Sequence, residues 1–321
     1  MNVSVLGCGR WGTFLAWYAQ KIGHQVTLWG RPGSRNLEQL CTTRRNEYLA
    51  LPDAMQLTDN LSAALSQADF VIISISAQHF RSLVQSVQAA STAPDEQIFV
   101  LCMKGLEANT GKTLHRIFQE EMPDGRAAVW VGPGHVQSFV ADVPNCMVVD
   151  APEFDIQDAV INAFGSDLIR FYYGADLIGT EIGAATKNVV GIAAGMLDGL
   201  ELTALKGALM ARAPREISRL IVALGGKAQS AYSLAHLGDY EATLFSLHSH
   251  NRRFGEDFVR GVPFEKLAEG VPTLHALAKL GVEHGVDLPI CHCIRRVIFD
   301  GKDPRKELDS LFARSLKSEF I

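Results

Sequence analysis

The sequence predicts an α/β protein: an amino-terminal, doubly wound parallel sheet followed by an all-helical carboxyl-terminal domain. Three observations lead there. Short apolar runs rich in Val, Ile and aromatic residues alternate with amphipathic stretches through the first half of the 321 residues, the pattern of parallel strands joined by helices. A glycine-rich turn follows the first of these runs. Beyond about Asp176, Ala, Leu, Arg and Glu recur at helical spacing, with no convincing further strand.

The strands are expected, in order, at NVSVLG, QVTLWG, DFVIISIS, IFVLCM, AAVWVG and NCMVVD, with LIRFYYG (168–174) as one more candidate. A boundary between 174 and 180 then separates a dinucleotide-binding domain, 1–176, from a helical substrate and catalytic domain, 177–321. The length suits two domains, and 47% hydrophobic with 20% charged residues is an ordinary globular composition. A net charge of -5 without a long Lys/Arg run argues against a nucleic-acid surface. The six cysteines are scattered apart from Cys291 and Cys293, whose CHC spacing is neither a CxxC metal site nor a redox site. A reduced, cytoplasmic setting fits this usage, and no ligand set for a metal is visible. The amino terminus runs straight into a strand, without a signal-like segment, and no apolar run has the ~18 residues of a membrane span.

Gly7, Gly9 and Gly12 in GCGRWG form GxGxxG between the first strand and the helix TFLAWYAQKIG. That context makes the motif a Rossmann-type turn, because the glycines let the backbone approach a pyrophosphate at the helix start. Arg10 and Trp11 belong to the same cofactor loop. The second strand ends in WGRPGSR, so Gly30 and Arg31 stand where an NAD-specific site places an acid. Arg31, with Arg35 behind it, suits a 2′-phosphate, which favours NADP over NAD.

Ligands of doubly wound sheets lie beyond the carboxyl ends of the strands. Lys104 directly follows IFVLCM there, and Gly132, Gly134, His135 and Val136 directly follow AAVWV. On spacing alone, Lys104 and His135 read equally well as surface residues. Residues 181–195, EIGAATKNVVGIAAG, place Lys187 in a stripe of small residues. Taken alone, the segment reads most simply as a closely packed helix with Lys187 extending to solvent. A polar cluster, HLGDYEATLFSLHSHNRRFGE (236–256), gathers hydroxyl, imidazole, amide and guanidinium donors suited to an oxyanion, or to a solvated helix start.

GCGRWGT, MKGLE, GPGH, IGAATKNVVGIAAGMLDGL, LGD and HNRRFGE occur in that order, and together they resemble the NAD(P)-dependent glycerol-3-phosphate dehydrogenases over nearly the whole chain. The resemblance implies reversible hydride transfer between NAD(P)H and dihydroxyacetone phosphate, giving sn-glycerol 3-phosphate for phospholipid synthesis. It implies that Lys187 is the proton donor and acceptor and that Asp239 orients it. Lys104, Asn188, Ser249 and Asn251 map onto substrate-binding positions, with Gly132 and Gly134 beside them, and Glu269 maps onto a position near the cofactor. A homodimer is implied in the same way.

Two departures fall on the substrate side. His250 stands where the family usually has an arginine that contacts phosphate and cofactor, and Gly134-His135 stands where GPT or GPS is common. If His250 performs the arginine's task, substrate affinity should weaken as pH rises through the neutral range. Otherwise Arg252, Arg253 or His135 supplies the charge. The alternatives to the family reaction are a related dehydrogenase acting on another phosphorylated ketone or a hydroxy acid, and a non-catalytic NADPH-binding sensor.

Overall fold

A computed structural model of the chain describes residues 1–91, 95–316 and 318; the end of the expected helical domain, 317 and 319–321, lies outside them. Eight strands form one sheet: β1 (Asn2–Leu6), β2 (Gln25–Trp29), β3 (Gln56–Thr58), β4 (Phe70–Ile73), β5 (Ile98–Leu101), β6 (Arg126–Val131), β7 (Asn145–Asp150) and β8 (Ile169–Tyr173). Their order is β3-β2-β1-β4-β5-β6-β7-β8. The helices α1 (Arg10–Lys21), α2 (Arg35–Thr43), α3 (Leu61–Leu65), α4 (Phe80–Ala90), α5 (Leu114–Glu121), α6 (Val136–Val140) and α7 (Phe154–Phe164) connect these strands. The rest of the described chain is helical: α8 (Leu177–Gly199), α9 (Lys206–Ala223), α10 (His250–Val259), α11 (Gly270–Glu283), α12 (Pro289–Phe299) and α13 (Pro304–Phe312).

The sheet departs from the expected parallel arrangement at one seam. β6 pairs with β7 antiparallel, while β7 and β8 run parallel to each other, so the last two strands point against the rest. The apolar runs do not encode strand direction, because a strand buried on both faces looks the same either way. The short edge strand β3 also went unread, since QLT offers only three residues and one large apolar side chain.

Side chains alternate between the two covered faces of the sheet. Along β6, Ala128 and Trp130 join one core with Phe14, Tyr18 and Phe164, whereas Ala127, Val129 and Val131 join another with Phe99 and Phe118. A third core surrounds α8. Every residue of α8 from Gly179 to Leu197 is buried, as expected of a helix apolar all round and enclosed by others. Its small residues admit α10 to backbone contact: a Cβ on Gly195 would lie 1.8 Å from the Arg252 carbonyl oxygen, and one on Gly255 would lie 2.1 Å from that of Ile192.

Candidate active site

Lys187 does not reach solvent. It sits midway along α8 with 8% of its surface exposed, and its Nζ donates to Asp239 Oδ2 at 2.9 Å and to Thr243 Oγ1 at 2.8 Å. Asp239 ends a 3-10 turn, Leu237–Asp239, and Thr243 lies in the π-helical turn Glu241–Phe245 that follows. Such turns recur at functional sites. The Thr243 hydroxyl passes its own proton to the Asp239 carbonyl at 2.7 Å, so its lone pairs face Lys187.

Lys104, just beyond β5, places Nζ 2.6 Å from the same Asp239 oxygen and 2.7 Å from the Gly132 carbonyl just beyond β6. Asn188 Nδ2 donates to the Lys104 carbonyl at 3.4 Å. Thus α8, the 237–245 turns and the carboxyl ends of β5 and β6 meet at one carboxylate with two ammonium groups. Burial pushes Lys187 down to about 8; Asp239 opposes this shift, and Lys104 adds to it. An amine poised near neutrality can give a proton and take it back.

A second layer fixes the turn. Tyr240 donates its hydroxyl proton to His236 Nε2 at 2.8 Å, and His236 Nδ1 donates to the Gly183 carbonyl at 2.8 Å. Burial pushes His236 down to about 4, so this neutral, singly protonated ring is the stable form. Thr243, His236 and Tyr240 were missed in the sequence. They carry no motif of their own, although their i, i+4 spacings from Asp239 and from each other were visible.

The residues of the cofactor loop fit a dinucleotide. Gly7 has φ +121°, and a Cβ there would lie 2.2 Å from the Ser74 carbonyl oxygen; one on Gly12 would lie 1.9 Å from that of Gly7. The loop therefore folds back on itself, with Gly9 at the amino end of α1. Trp11 packs on Phe14, with ring centres 4.9 Å apart, and Val136 is wholly buried. At the end of β2, a Cβ on Gly30 would meet Cys8 Sγ at 2.6 Å, leaving no room for an acid. Arg31 beside it is exposed. Glu269 carries a buried oxygen, Oε2, without a hydrogen-bond partner, and burial raises its carboxyl above the usual range while Ser76 and Ala77 oppose the shift. That orphaned atom, beside the loop after β4, is the kind of group that a ligand hydroxyl satisfies.

The 249–253 segment divides its labour. Ser249 caps α10, its hydroxyl accepting the Arg252 amide at 3.3 Å, and Asn251 Oδ1 accepts the Gly270 amide at 2.9 Å. Arg252 is locked inside by Asp198 at 2.7 Å and Glu256 at 2.9 Å, and Arg253 pairs with Asp257 at 3.0 Å. The Arg252 guanidinium is therefore committed, whereas Arg253 is largely exposed and its ion pair runs through Nε. His250 is partly buried, and desolvation, with Arg10 and Lys266 nearby, holds it below the usual imidazole value. Gly134 has no room for the common Ser or Thr: a Cβ would lie 2.3 Å from the Phe139 ring.

Among the described residues no helix is long and apolar enough to cross a membrane. Family models for the amino and carboxyl termini of NAD-dependent glycerol-3-phosphate dehydrogenase match residues 2–155 and 176–309. A glycerol-3-phosphate dehydrogenase [NAD(P)+] of Geobacillus kaustophilus is 36% identical, covering 99% of this chain and 96% of the relative. One from Fusobacterium nucleatum is 33% identical, covering 99% and 98%. The crystal structure of glycerol-3-phosphate dehydrogenase from Coxiella burnetii superposes with a TM-score of 0.91 at 25% identity, covering 98% of this chain and 99% of that one. With both halves matched in order and relatives aligned end to end, the chain belongs to the NAD-dependent glycerol-3-phosphate dehydrogenase family.

Proposed function

We propose that the protein catalyses reversible reduction of dihydroxyacetone phosphate to sn-glycerol 3-phosphate, with Lys187 as the acid and base. The observation that carries this reading is the buried Lys187 ammonium, held by Asp239 and Thr243 at the carboxyl ends of β5 and β6. A bound nicotinamide supplies or accepts the hydride at C2. As hydride reaches C2, negative charge grows on the carbonyl oxygen. Lys187 stabilises that charge and delivers the proton that completes the hydroxyl; in the reverse direction its neutral amine removes it. Asp239 keeps the ammonium charged and aimed, and Lys104 adds a second cation beside the substrate.

The same reading assigns residues 1–176 to the cofactor and 177–321 to substrate and catalysis. Gly7, Gly9, Arg10, Trp11, Gly12, Val136 and Glu269 line the cofactor side, with Asn188, Ser249, His250 and Asn251 bordering the substrate. NADP is favoured over NAD, because packing excludes an acid at Gly30 while Arg31 is exposed beside it. A cytoplasmic homodimer supplying phospholipid synthesis, without nucleic-acid partners, completes the proposal.

The test is steady-state oxidation of NADPH and NADH with dihydroxyacetone phosphate, beside Lys187→Ala and Arg31→Ala. Turnover lost in the lysine variant, with NADPH preference lost in the arginine variant, supports the whole reading. Wild-type protein that binds NADPH but turns over neither cofactor would overturn it.

A further inference from the structure

His250 stands where the resemblance leads one to expect an arginine; Arg252 is committed to Asp198 and Glu256, and Arg253 is turned largely to solvent, where it pairs with Asp257. A guanidinium reaches the same segment from the opposite side. Arg10, the first residue of α1, donates to the His248 carbonyl at 3.2 Å and faces His135 Nδ1 at 3.3 Å. It also lies over the Tyr48 ring at 5.3 Å. Among the described residues no carboxylate pairs with Arg10 within ion-pair distance. Its partners are a carbonyl, an imidazole nitrogen and the Tyr48 hydroxyl, all without formal charge, so its own charge is left for an anion.

His135 connects this guanidinium to the reacting end. Besides its burial, the charges that act on its ring are those of Arg10, Lys187 and Asp239, so both cations lie near enough to the imidazole for their charge to be felt there. Because a guanidinium only donates, Nδ1 is the acceptor and Nε2 carries the proton. That Nε2 is buried, with the Ala242 backbone as its neighbour and no hydrogen bond of good geometry. On the far side, Gly191 sits one turn beyond Lys187, and a Cβ there would touch Thr243 Cγ2 at 2.7 Å and Asn251 Cβ at 3.4 Å. The start of α10 therefore borders both Lys187 and the Arg10 contact at His248.

The geometry points to Arg10 as the guanidinium that binds the phosphate of the substrate, with His135 and His250 beside it, in place of the missing arginine of the 249–253 segment. The backbone of Arg10 remains part of the glycine loop, while its side chain turns to the substrate. A three-carbon ester then lies with its carbonyl at Lys187 and its phosphate at Arg10. This assignment rests on the proposed reaction.

The experiment compares wild type, Arg10→Gln and Arg10→Lys. It reads kcat and KM for dihydroxyacetone phosphate, the Kd for NADPH by fluorescence, and stabilisation of Tm by inorganic phosphate with NADPH present. Arg10→Gln should raise KM for the ketone about tenfold or more and remove the phosphate-induced Tm shift, as loss of a charge-assisted contact requires. Its Kd for NADPH should stay within about twofold, and Arg10→Lys should recover part of the KM loss. An unchanged KM, or a Kd for NADPH that rises as far as KM, would overturn the assignment. Failure of wild type to reduce the ketone would instead sink the reaction, and the phosphate Tm shift would still show whether Arg10 holds an anion. An unshifted wild-type Tm together with no turnover sinks both.

Discussion

Lys187 and Asp239 share a contact of 2.9 Å, and the same Asp239 oxygen also receives Lys104 at 2.6 Å. One buried carboxylate thus balances two ammonium groups. Asp239→Asn keeps the shape and removes the charge, leaving both cations uncompensated. Breaking a buried pair from one side costs about 3–5 kcal/mol, so kcat/KM for dihydroxyacetone phosphate should fall about 10²- to 5 × 10³-fold. A loss under tenfold would mean that Lys187 does not depend on Asp239.

The direction of the Lys187 shift sets the pH profile. Reduction needs the ammonium form, and burial has pushed that group down to about 8. The kcat/KM for the ketone should therefore fall as pH rises through about 8, and that for glycerol 3-phosphate oxidation should rise through the same range. Asp239→Asn removes the influence that opposes the shift, so both limbs should move to lower pH. Profiles recorded in both directions check the sign.

Thr243→Val removes the hydroxyl that accepts from Lys187 at 2.8 Å while nearly conserving volume. One hydrogen bond of about 1–1.5 kcal/mol predicts a loss in kcat of about five- to tenfold, with Kd for NADPH unaltered. Steady-state kinetics with a parallel NADPH titration separate the two.

His250 faces Arg10 and Lys266, which disfavour its charged form, and Glu47 and the Leu267 backbone, which favour it; with burial first among the causes, it stays below the ordinary imidazole value. It is then neutral at pH 7. KM for dihydroxyacetone phosphate should be flat from about pH 7 to 8.5, instead of rising through neutrality as it would if His250 performed the arginine's task. A KM that climbs across that window would show an imidazolium contributing to phosphate binding.

Gly195→Val would drive a side chain into the Arg252 backbone, 1.8 Å from where its Cβ would stand. Overpacking of this kind costs about 1–3 kcal/mol or more. Tm should drop, and KM for the ketone should rise as α10 moves with its amino-terminal residues. A variant with wild-type Tm would show that the two helices can separate freely.

The fold was legible where each local signal had one meaning. GxGxxG after an apolar strand gave the loop and α1, and the change from strand runs to helical spacing near Asp176 gave the start of α8. Strand direction at β7 was not legible, because burial on both faces erases the alternation that would report it. Lys187 itself was ambiguous. A lysine among glycines and alanines can snorkel or sit buried against a carboxylate 52 residues away, and only the resemblance pointed to Asp239. Thr243 was invisible for a related reason: a threonine in an amphipathic stretch has no signature until the π-helical turn aims it. The resemblance also directed attention to the 249–253 segment, whereas the guanidinium that reaches that segment from across the site, Arg10, lies far away in sequence.

The reversed strands explain why α8 can bring its lysine to this place. Tyr173 pairs with Val149, which pairs with Trp130, so the chain leaves β8 heading toward the end of the sheet opposite the cofactor loop. From Leu177 the helix must climb the flank of β6, and Lys187, ten residues on, stands about 15 Å higher. That climb returns it to the level of Lys104 and Gly132. The U-turn in the wiring therefore serves as a fixed ramp, and its length in residues sets the height at which Lys187 meets Asp239.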